Sequence, residues 1–308
     1  MLGAHTGLTP EVLSYKPIHP PVEEIQPPKD RAFFADPDKK LLLSAATKKG
    51  IVFFRDQGLD LEGQYELFKH YGIQDRDPNQ VEPCHVTILG RGGDIRSFEH
   101  SSSAFAEFHS DHSFEINPPS YTMLRMIKVP EYGGDTVFAS QTALFDKLSP
   151  TFKKTLQGLH GVHSSEHTYI NTIKSGGTTF RPPVRREHPL IRTHPVTKQQ
   201  SLFYNSAFVI NIAELKGAEA LHILNFLRDH LHSADDLSVR WHWEARSVAF
   251  WDNRVIVHRA IPGGYKTERE GKRTAVYGEK LFWEPGSGLT AGEGMLWDVD
   301  VKTGLDGF

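Results

Sequence analysis

Ser247-Val248-Ala249-Phe250-Trp251-Asp252-Asn253-Arg254-Val255-Ile256-Val257-His258-Arg259-Ala260 is the stretch on which the fold turns. It is crowded with β-branched and aromatic residues, the side chains that favour a pleated surface, so it reads as a strand. SVRWHWEA (238–245) before it and RTAVYGEKLFWE (273–284) after it have the same character. In the first of these, Val239, Trp241 and Trp243 alternate with Arg240, His242 and Glu244, the period of two that a half-buried strand requires. Three strands without an intervening helix, and no alternating β/α run elsewhere, disfavour a doubly wound sheet.

Working outward, GIVFFR (50–55), CHVTIL (84–89), YTMLRMIKV (121–129) and DTVFAS (135–140) read as further strands. LIRTHPVT (190–197) and SLFYNS (201–206) flank a turn centred on Lys198 in hairpin fashion. Helical spacing is confined to 37–49, 60–71, two short pieces in 141–160 broken at Ser149-Pro150, and 212–232. Residues 97–110 and 170–188 read as loops. Residues 1–30 carry Pro10, Pro17, Pro20, Pro21, Pro27 and Pro28, which block both helix and ladder, and form an extended arm that wraps the domain or reaches a partner subunit. Residues 31–308 are expected to be one domain, mainly β with added helices, of the sandwich or barrel type.

Composition narrows the function. The chain has 308 residues, 38% hydrophobic and 24% charged, which suits a globular domain with a sizeable core. A net charge of -3 provides no general field for nucleic acid. Cys84 is the only cysteine, which excludes an intramolecular disulfide and a thiolate-built zinc site. With no secretory start and no apolar run of membrane-spanning length, the expected location is cytoplasmic. Gly90-Arg91-Gly92-Gly93 follows a strand but Ile95 breaks the dinucleotide fingerprint, and no Gly-x-Ser-x-Gly elbow occurs.

Histidine is abundant, at 17 residues, and a metal site is the natural place to look. In Glu107-Phe108-His109-Ser110-Asp111-His112-Ser113-Phe114, His109 and Asp111 are two apart, so on a strand they would face one point. His258, ending the decisive stretch, is a candidate third ligand. Two imidazoles and one carboxylate leave coordination positions open and suit non-haem Fe(II) oxygenases. Read singly, each histidine has the blander reading of a core or interface residue, and a lone His-x-Asp is a weak signal. His242 and Glu244 are a rival pair, more simply the polar face of a strand; His160, His163 and His167 fit no zinc signature. Arg269 and Arg273, four apart, either share a helix face or flank a pocket and grip a carboxylate, or sit in a solvated loop beside Glu268 and Glu270. Thr136, after the Gly133-Gly134-Asp135 turn, has a hydroxyl to offer a bound carboxylate or is an ordinary strand threonine.

FHSDHSFEINPPSY (108–121), YGGDTVFAS (132–140), HPLIRTHPVT (188–197), LFYNSAF (202–208) and WDNRVIVHRA (251–260) together resemble the TauD/TfdA family, the taurine dioxygenase-like Fe(II)/2-oxoglutarate enzymes, in a fungal flavour. They occur in the family's order and the likeness covers roughly residues 35–285. The resemblance implies a double-stranded β-helix, or jelly roll, with Fe(II), 2-oxoglutarate as co-substrate and O2. It implies His109, Asp111 and His258 as iron ligands. It implies Thr136 and Arg269 on the distal carboxylate of 2-oxoglutarate, Arg269 falling eleven residues after His258. Arg273 falls at the family's second arginine, beside the co-substrate and the anionic group of the primary substrate. Asn205 and Phe208 match the substrate pocket, and Trp251 supports the site. The activity implied is oxidation of a small organic substrate at a C–H bond, hydroxylating or otherwise, with release of succinate and CO2; the alternative is a jelly-roll binding protein that has lost the chemistry. The partner implied is a small molecule; the charge balance and hydropathy lead to no nucleic acid and no membrane, and the arm leaves a homo-oligomer open. One departure stands out: Asp77-Pro78 replaces the His-Pro of sulfonate-using members, and an acid there would repel a sulfonate.

Overall fold

A computed structural model describes residues 23–24, 46, 49–75, 87–89, 107–174, 177, 179, 181–261 and 268–287. The strands, in chain order, are β1 (Glu23–Glu24), β2 (Ile51–Phe54), β3 (Thr87–Leu89), β4 (Pro119–Lys128), β5 (Thr136–Ser140), β6 (His160–Ser164), β7 (Arg185–Pro189), β8 (Ile191–Thr193), β9 (Gln200–Leu202), β10 (Val209–Ile212), β11 (Ser238–Trp241), β12 (Val248–Asp252), β13 (Ile256–Ala260) and β14 (Glu270–Tyr277). The helices are α1 (Leu61–Tyr71), α2 (Gln141–Lys147), α3 (Pro150–Leu156), α4 (Glu166–Lys174) and α5 (Gly217–His232).

A six-stranded sheet in the order β1-β2-β12-β4-β14-β3 faces a three-stranded sheet in the order β11-β5-β13. Side-chain parity explains the layers. On β2, Ile51 and Phe53 point at the small sheet while Val52 and Phe54 point at α1, so both faces are buried. That is why IVFF is an unbroken apolar run and not an alternating one. Ala249 and Trp251 of β12 and Leu124 and Met126 of β4 meet Phe138, Trp241 and Ile256 between the sheets. Phe53 stacks on Trp241 with ring centroids 4.0 Å apart. Each such buried side chain stabilises the fold by about 1.5–3 kcal/mol. On the far side of the small sheet, Val137, Ala139 and Val257 pack on Leu144, Leu148 and Leu156 of the α2–α3 segment and on Leu227 and Leu231 of α5. The molecule is thus layered as helix, large sheet, small sheet, helices.

Local chemistry sets the helix ends. Asp60 Oδ1 accepts from the Gly63 N–H at 2.7 Å and starts α1, a cap worth about 1 kcal/mol. Ser149 caps α3 with Pro150 in its first turn, where a missing N–H costs nothing. Gln64 of α1 is fully buried and donates to the Lys272 carbonyl at 3.0 Å, tying α1 to β14.

Several expectations need correction. The decisive stretch is not one strand: β12 ends at Asp252, residues 253–255 turn, and β13 begins at Ile256 in the other sheet. Asp252 makes the turn by accepting from the backbone and side chain of Arg254, with the Arg254 Nε at 2.7 Å. Residues 170–188 are not loop throughout. They hold most of α4 and β7. α4 buries none of its residues, and β7 is Arg185-Arg186-Glu187-His188-Pro189, a polar strand held by pairing with β6. The helix expected over 212–232 begins at Gly217, Ile212 belonging to β10. SVRWHWEA is a strand only to Trp241. The β8–β9 hairpin and its turn are as read, with Lys198 in the left-handed region at φ 61. Of the proline-rich arm only β1 is described; it pairs in parallel with β2. Asp77-Pro78 lies outside the described residues.

Candidate metal and co-substrate site

The even-numbered residues of β5 and β13 face the large sheet, which brings Thr136 and His258 into the space between the sheets. Arg273 pairs across from Leu124 and shares its inward face. His109 and Asp111 arrive differently from the strand expected. His109 makes an isolated bridge to His258 and Asp111 starts a turn over 111–114, so the two converge through a bend and not through strand alternation. One ligand atom from each of His109, Asp111 and His258 lies within 4.8 Å of the others. His258 Nε2 is 4.0 Å from Asp111 Oδ1, and the His109 and His258 ring centroids are 4.4 Å apart. His109 Nδ1 donates to the Glu107 carbonyl at 3.0 Å, which leaves the lone pair on Nε2.

The electrostatics suit a cation. Burial keeps His109 neutral by lowering its pKa, and burial, with His109 beside it, pushes His258 down to about 3. Burial alone would raise the Asp111 carboxyl, but the Arg273 guanidinium beside it is the largest opposing influence and the carboxyl is held well below the usual carboxylate range. Two neutral imidazoles and an ionised carboxylate are the protonation states a divalent metal requires, so the donor set fits the expected ion. Among the described residues no other such group forms. His242 instead pairs with Asp135 at 2.9 Å, half exposed, His160 pairs with Glu214, and His163 bonds Ser113.

The two arginines do not share a helix face: Arg273 is on β14 and Arg269 lies just before it. Arg273 is buried on β14, with Nη1 2.5 Å from Asp111 Oδ1 and Nη2 3.4 Å from His112 Nε2. His112 donates from Nδ1 to Asp75 Oδ2 at 2.5 Å. Arg269 precedes β14 and donates from Nε to the Gly134 carbonyl at 3.0 Å, against the turn that feeds Thr136. A Cβ on Gly134 would sit 3.1 Å from Arg269 Cδ, and its φ of +69 also favours glycine. Thr136 Oγ1 accepts from Trp243 Nε1 at 2.9 Å, so its proton is free to point elsewhere. Phe208 packs edge-on against His109 and Phe114. Asn205 is fully buried with Oδ1 2.5 Å from the Ser110 amide, bracing the backbone between His109 and Asp111.

Sequence reasoning did not find Asp75, His112, Thr122 or Asn253. Thr122 Oγ1 donates to Asp111 Oδ2 at 2.7 Å and Asn253 Oδ1 accepts from the Asp111 amide at 3.1 Å. Asn253 sits in the quoted WDNR and was within reach; Thr122 is an unremarked strand threonine, visible only once β4 and β12 are paired.

The model for the taurine catabolism dioxygenase TauD, TfdA family matches residues 14–275. The chain belongs to this family. An alpha-ketoglutarate-dependent sulfonate dioxygenase of Saccharomyces cerevisiae is 37% identical over 237 residues, 74% of this chain and 57% of that one. A putative alpha-ketoglutarate-dependent sulfonate dioxygenase of Schizosaccharomyces pombe is 33% identical, covering 82% of this chain and 66% of its own length. The chain therefore spans less than two thirds of either fungal relative. A putative alpha-ketoglutarate-dependent taurine dioxygenase of Burkholderia xenovorans superposes with a TM-score of 0.70 at 25% identity, covering 89% of this chain and 94% of that one. The facing sheets are the jelly roll of TauD-type dioxygenases, with His109, Asp111, His258 and Arg273 drawn together, Thr136 buried on β5 and Arg269 part-buried at the Gly134 turn.

Proposed function

We propose that the protein is an Fe(II)- and 2-oxoglutarate-dependent dioxygenase of a small organic substrate, with His109, Asp111 and His258 as the metal ligands. The observation that carries this reading is the convergence of two neutral imidazoles and an ionised carboxylate beside two inward or turn-held arginines. Bound Fe(II), with 2-oxoglutarate and O2, supplies oxidation of a substrate C–H bond and yields succinate and CO2. The chain's own residues do the rest. Arg269 presents its fork, and Thr136 its free hydroxyl proton, to the distal carboxylate of the co-substrate. Arg273 offers charge to an anionic group of the substrate, Phe208 supplies an apolar wall next to His109, and Asn205 keeps the ligand loop in place. The named sulfonate activity of the fungal relatives supports a substrate with an anionic group, whereas Asp77 argues against direct transfer of the sulfonate assignment. The family's dependence on a small substrate supports catalysis over passive binding.

The test is succinate formation from 2-oxoglutarate by purified protein. We expect Fe(II)-dependent succinate in wild type and none in His258→Ala. Equal succinate from both would remove the ligand assignment.

A further inference from the structure

Asp111 is held by a closed circuit of hydrogen bonds whose proton directions can be assigned without ambiguity. Asn253 Oδ1 receives two obligatory donors, the Asp111 backbone N–H at 3.1 Å and the Trp251 indole N–H at 3.0 Å. Neither can accept, so the Asn253 amide cannot be flipped. Its Nδ2 therefore faces Thr122 and donates to Thr122 Oγ1 at 2.8 Å. The one hydroxyl proton of Thr122 must then leave in the other direction, to Asp111 Oδ2 at 2.7 Å. Thr122, Trp251, Asn253 and Asp111 are all buried, the first two completely, so water does not compete for these bonds.

The consequence falls on the carboxylate. Oδ2 is engaged from β4 and the Asp111 backbone is engaged from the turn after β12, which fixes both the position and the plane of the carboxyl group. Oδ1 faces His258 Nε2 and also accepts Arg273 Nη1. A carboxylate oxygen has two lone-pair directions, so one remains for a cation even with Arg273 in place.

We propose that Thr122 is a positioning residue for the metal: its donated proton reserves Asp111 Oδ2, so that the carboxylate binds through Oδ1 alone, and Asn253 sets the direction of that proton. A carboxylate free to rotate would offer both oxygens and take a second coordination position. Keeping it to one oxygen preserves the open positions that a facial two-histidine, one-carboxylate site needs for its co-substrates. Hydrogen-bonding partners of a ligand commonly govern metal affinity by about 10–100-fold. This inference rests on the metal-site reading above and adds the residue that makes the carboxylate monodentate.

The experiment compares wild type, Thr122→Val, Thr122→Ala and Thr122→Ser, titrating Co(II) into metal-free protein by calorimetry and recording the visible Co(II) bands, whose intensity reports coordination number. The melting temperature of each metal-free protein shows that it is folded, and the alanine variant serves if the valine variant is not. The expected result is Co(II) affinity about 10–100-fold weaker in Thr122→Val and Thr122→Ala, with an altered band intensity, and both restored in Thr122→Ser. Wild-type affinity and an unchanged spectrum in a folded valine or alanine variant would overturn the proposal. Failure of wild type itself to bind Co(II) would overturn the metal-site reading and the proposal with it.

Discussion

His109 and His258 exchange both of their backbone hydrogen bonds: the His109 N–H donates to the His258 carbonyl at 2.9 Å, and the His258 N–H donates back at 2.7 Å. The ligand loop is thereby stitched to β13 by main chain, independently of the imidazoles. Replacing either side chain should remove the donor and leave the stitch. We expect His109→Ala and His258→Ala to keep their circular dichroism and to lose only about 1–2 kcal/mol of stability, while calorimetry with a divalent metal shows no binding. A variant that unfolds outright would mean that the imidazoles, and not the backbone pair, hold the loop.

The Arg269 side chain donates to the Gly134 carbonyl and lies where a Cβ on Gly134 would press on it, so the proposed carboxylate clamp depends on both residues. Removing one partner of a charge-assisted hydrogen-bonded pair in a binding site commonly costs about 2–5 kcal/mol, and Arg269 is partly buried, so Arg269→Ala should raise the 2-oxoglutarate concentration required by about thirtyfold or more. Gly134→Ala pushes on the same side chain and strains the turn at φ +69. It should raise that requirement as well, by about tenfold, with metal affinity unchanged. Normal 2-oxoglutarate dependence in both variants would reassign the clamp.

Much of this was legible in the chain. His109, Asp111 and Thr136 stand in the local patterns HxD and GGDT and His258 follows WDNR by four residues, whereas Arg269 and Arg273 belong to no local pattern and were reached only through the resemblance. The buried strands were equally visible, because Ile51–Phe54 and Val248–Trp251 are apolar on both faces. What stayed hidden depends on partners far away in sequence. β7 lacks an apolar period and exists because β6 pairs with it, and α4 buries none of its residues. The chain reversal at Asn253–Val255 is concealed by apolar residues on both sides, its cause being the Asp252–Arg254 contact. Thr122 and Asp75 are silent until pairing brings them to Asp111 and His112.

Asp252 anchors a buried polar group that has no part in the proposed chemistry. It is fully buried, accepts from Arg254 Nη2 at 2.6 Å and from His194 Nε2 at 3.1 Å, and its carboxyl is held low by Arg254 and His194 against burial. Removing one member leaves the Arg254 charge undercompensated in the interior. Asp252→Asn should therefore lose about 3–5 kcal/mol of stability in chemical denaturation. A loss under 1 kcal/mol would show that Glu279, 3.6 Å from Arg254, carries the compensation alone.

His188 predicts a pH dependence of stability. Burial, with Arg192 nearby, pushes its pKa down to about 4, against roughly 6.5 in an unfolded chain. Between these values the unfolded state binds more protons, so stability rises with pH there. The contribution is fully present above the unfolded value and is lost as pH falls from 6.5 toward 4. From pH 7 to pH 5 the loss is about 2 kcal/mol. His188→Asn removes the titration, so its stability should fall less than that of wild type over this interval, by about that amount. Parallel pH profiles for the two proteins would contradict the assignment.

The central claim, that this interior holds Fe(II) and 2-oxoglutarate together, is met most directly by anaerobic visible spectroscopy. Fe(II) and 2-oxoglutarate are added to metal-free protein and the weak charge-transfer band of the chelate is sought. The account predicts the band in wild type and its disappearance in His109→Ala. Iron-loaded wild type without a band, or a band that survives in His109→Ala, would contradict it.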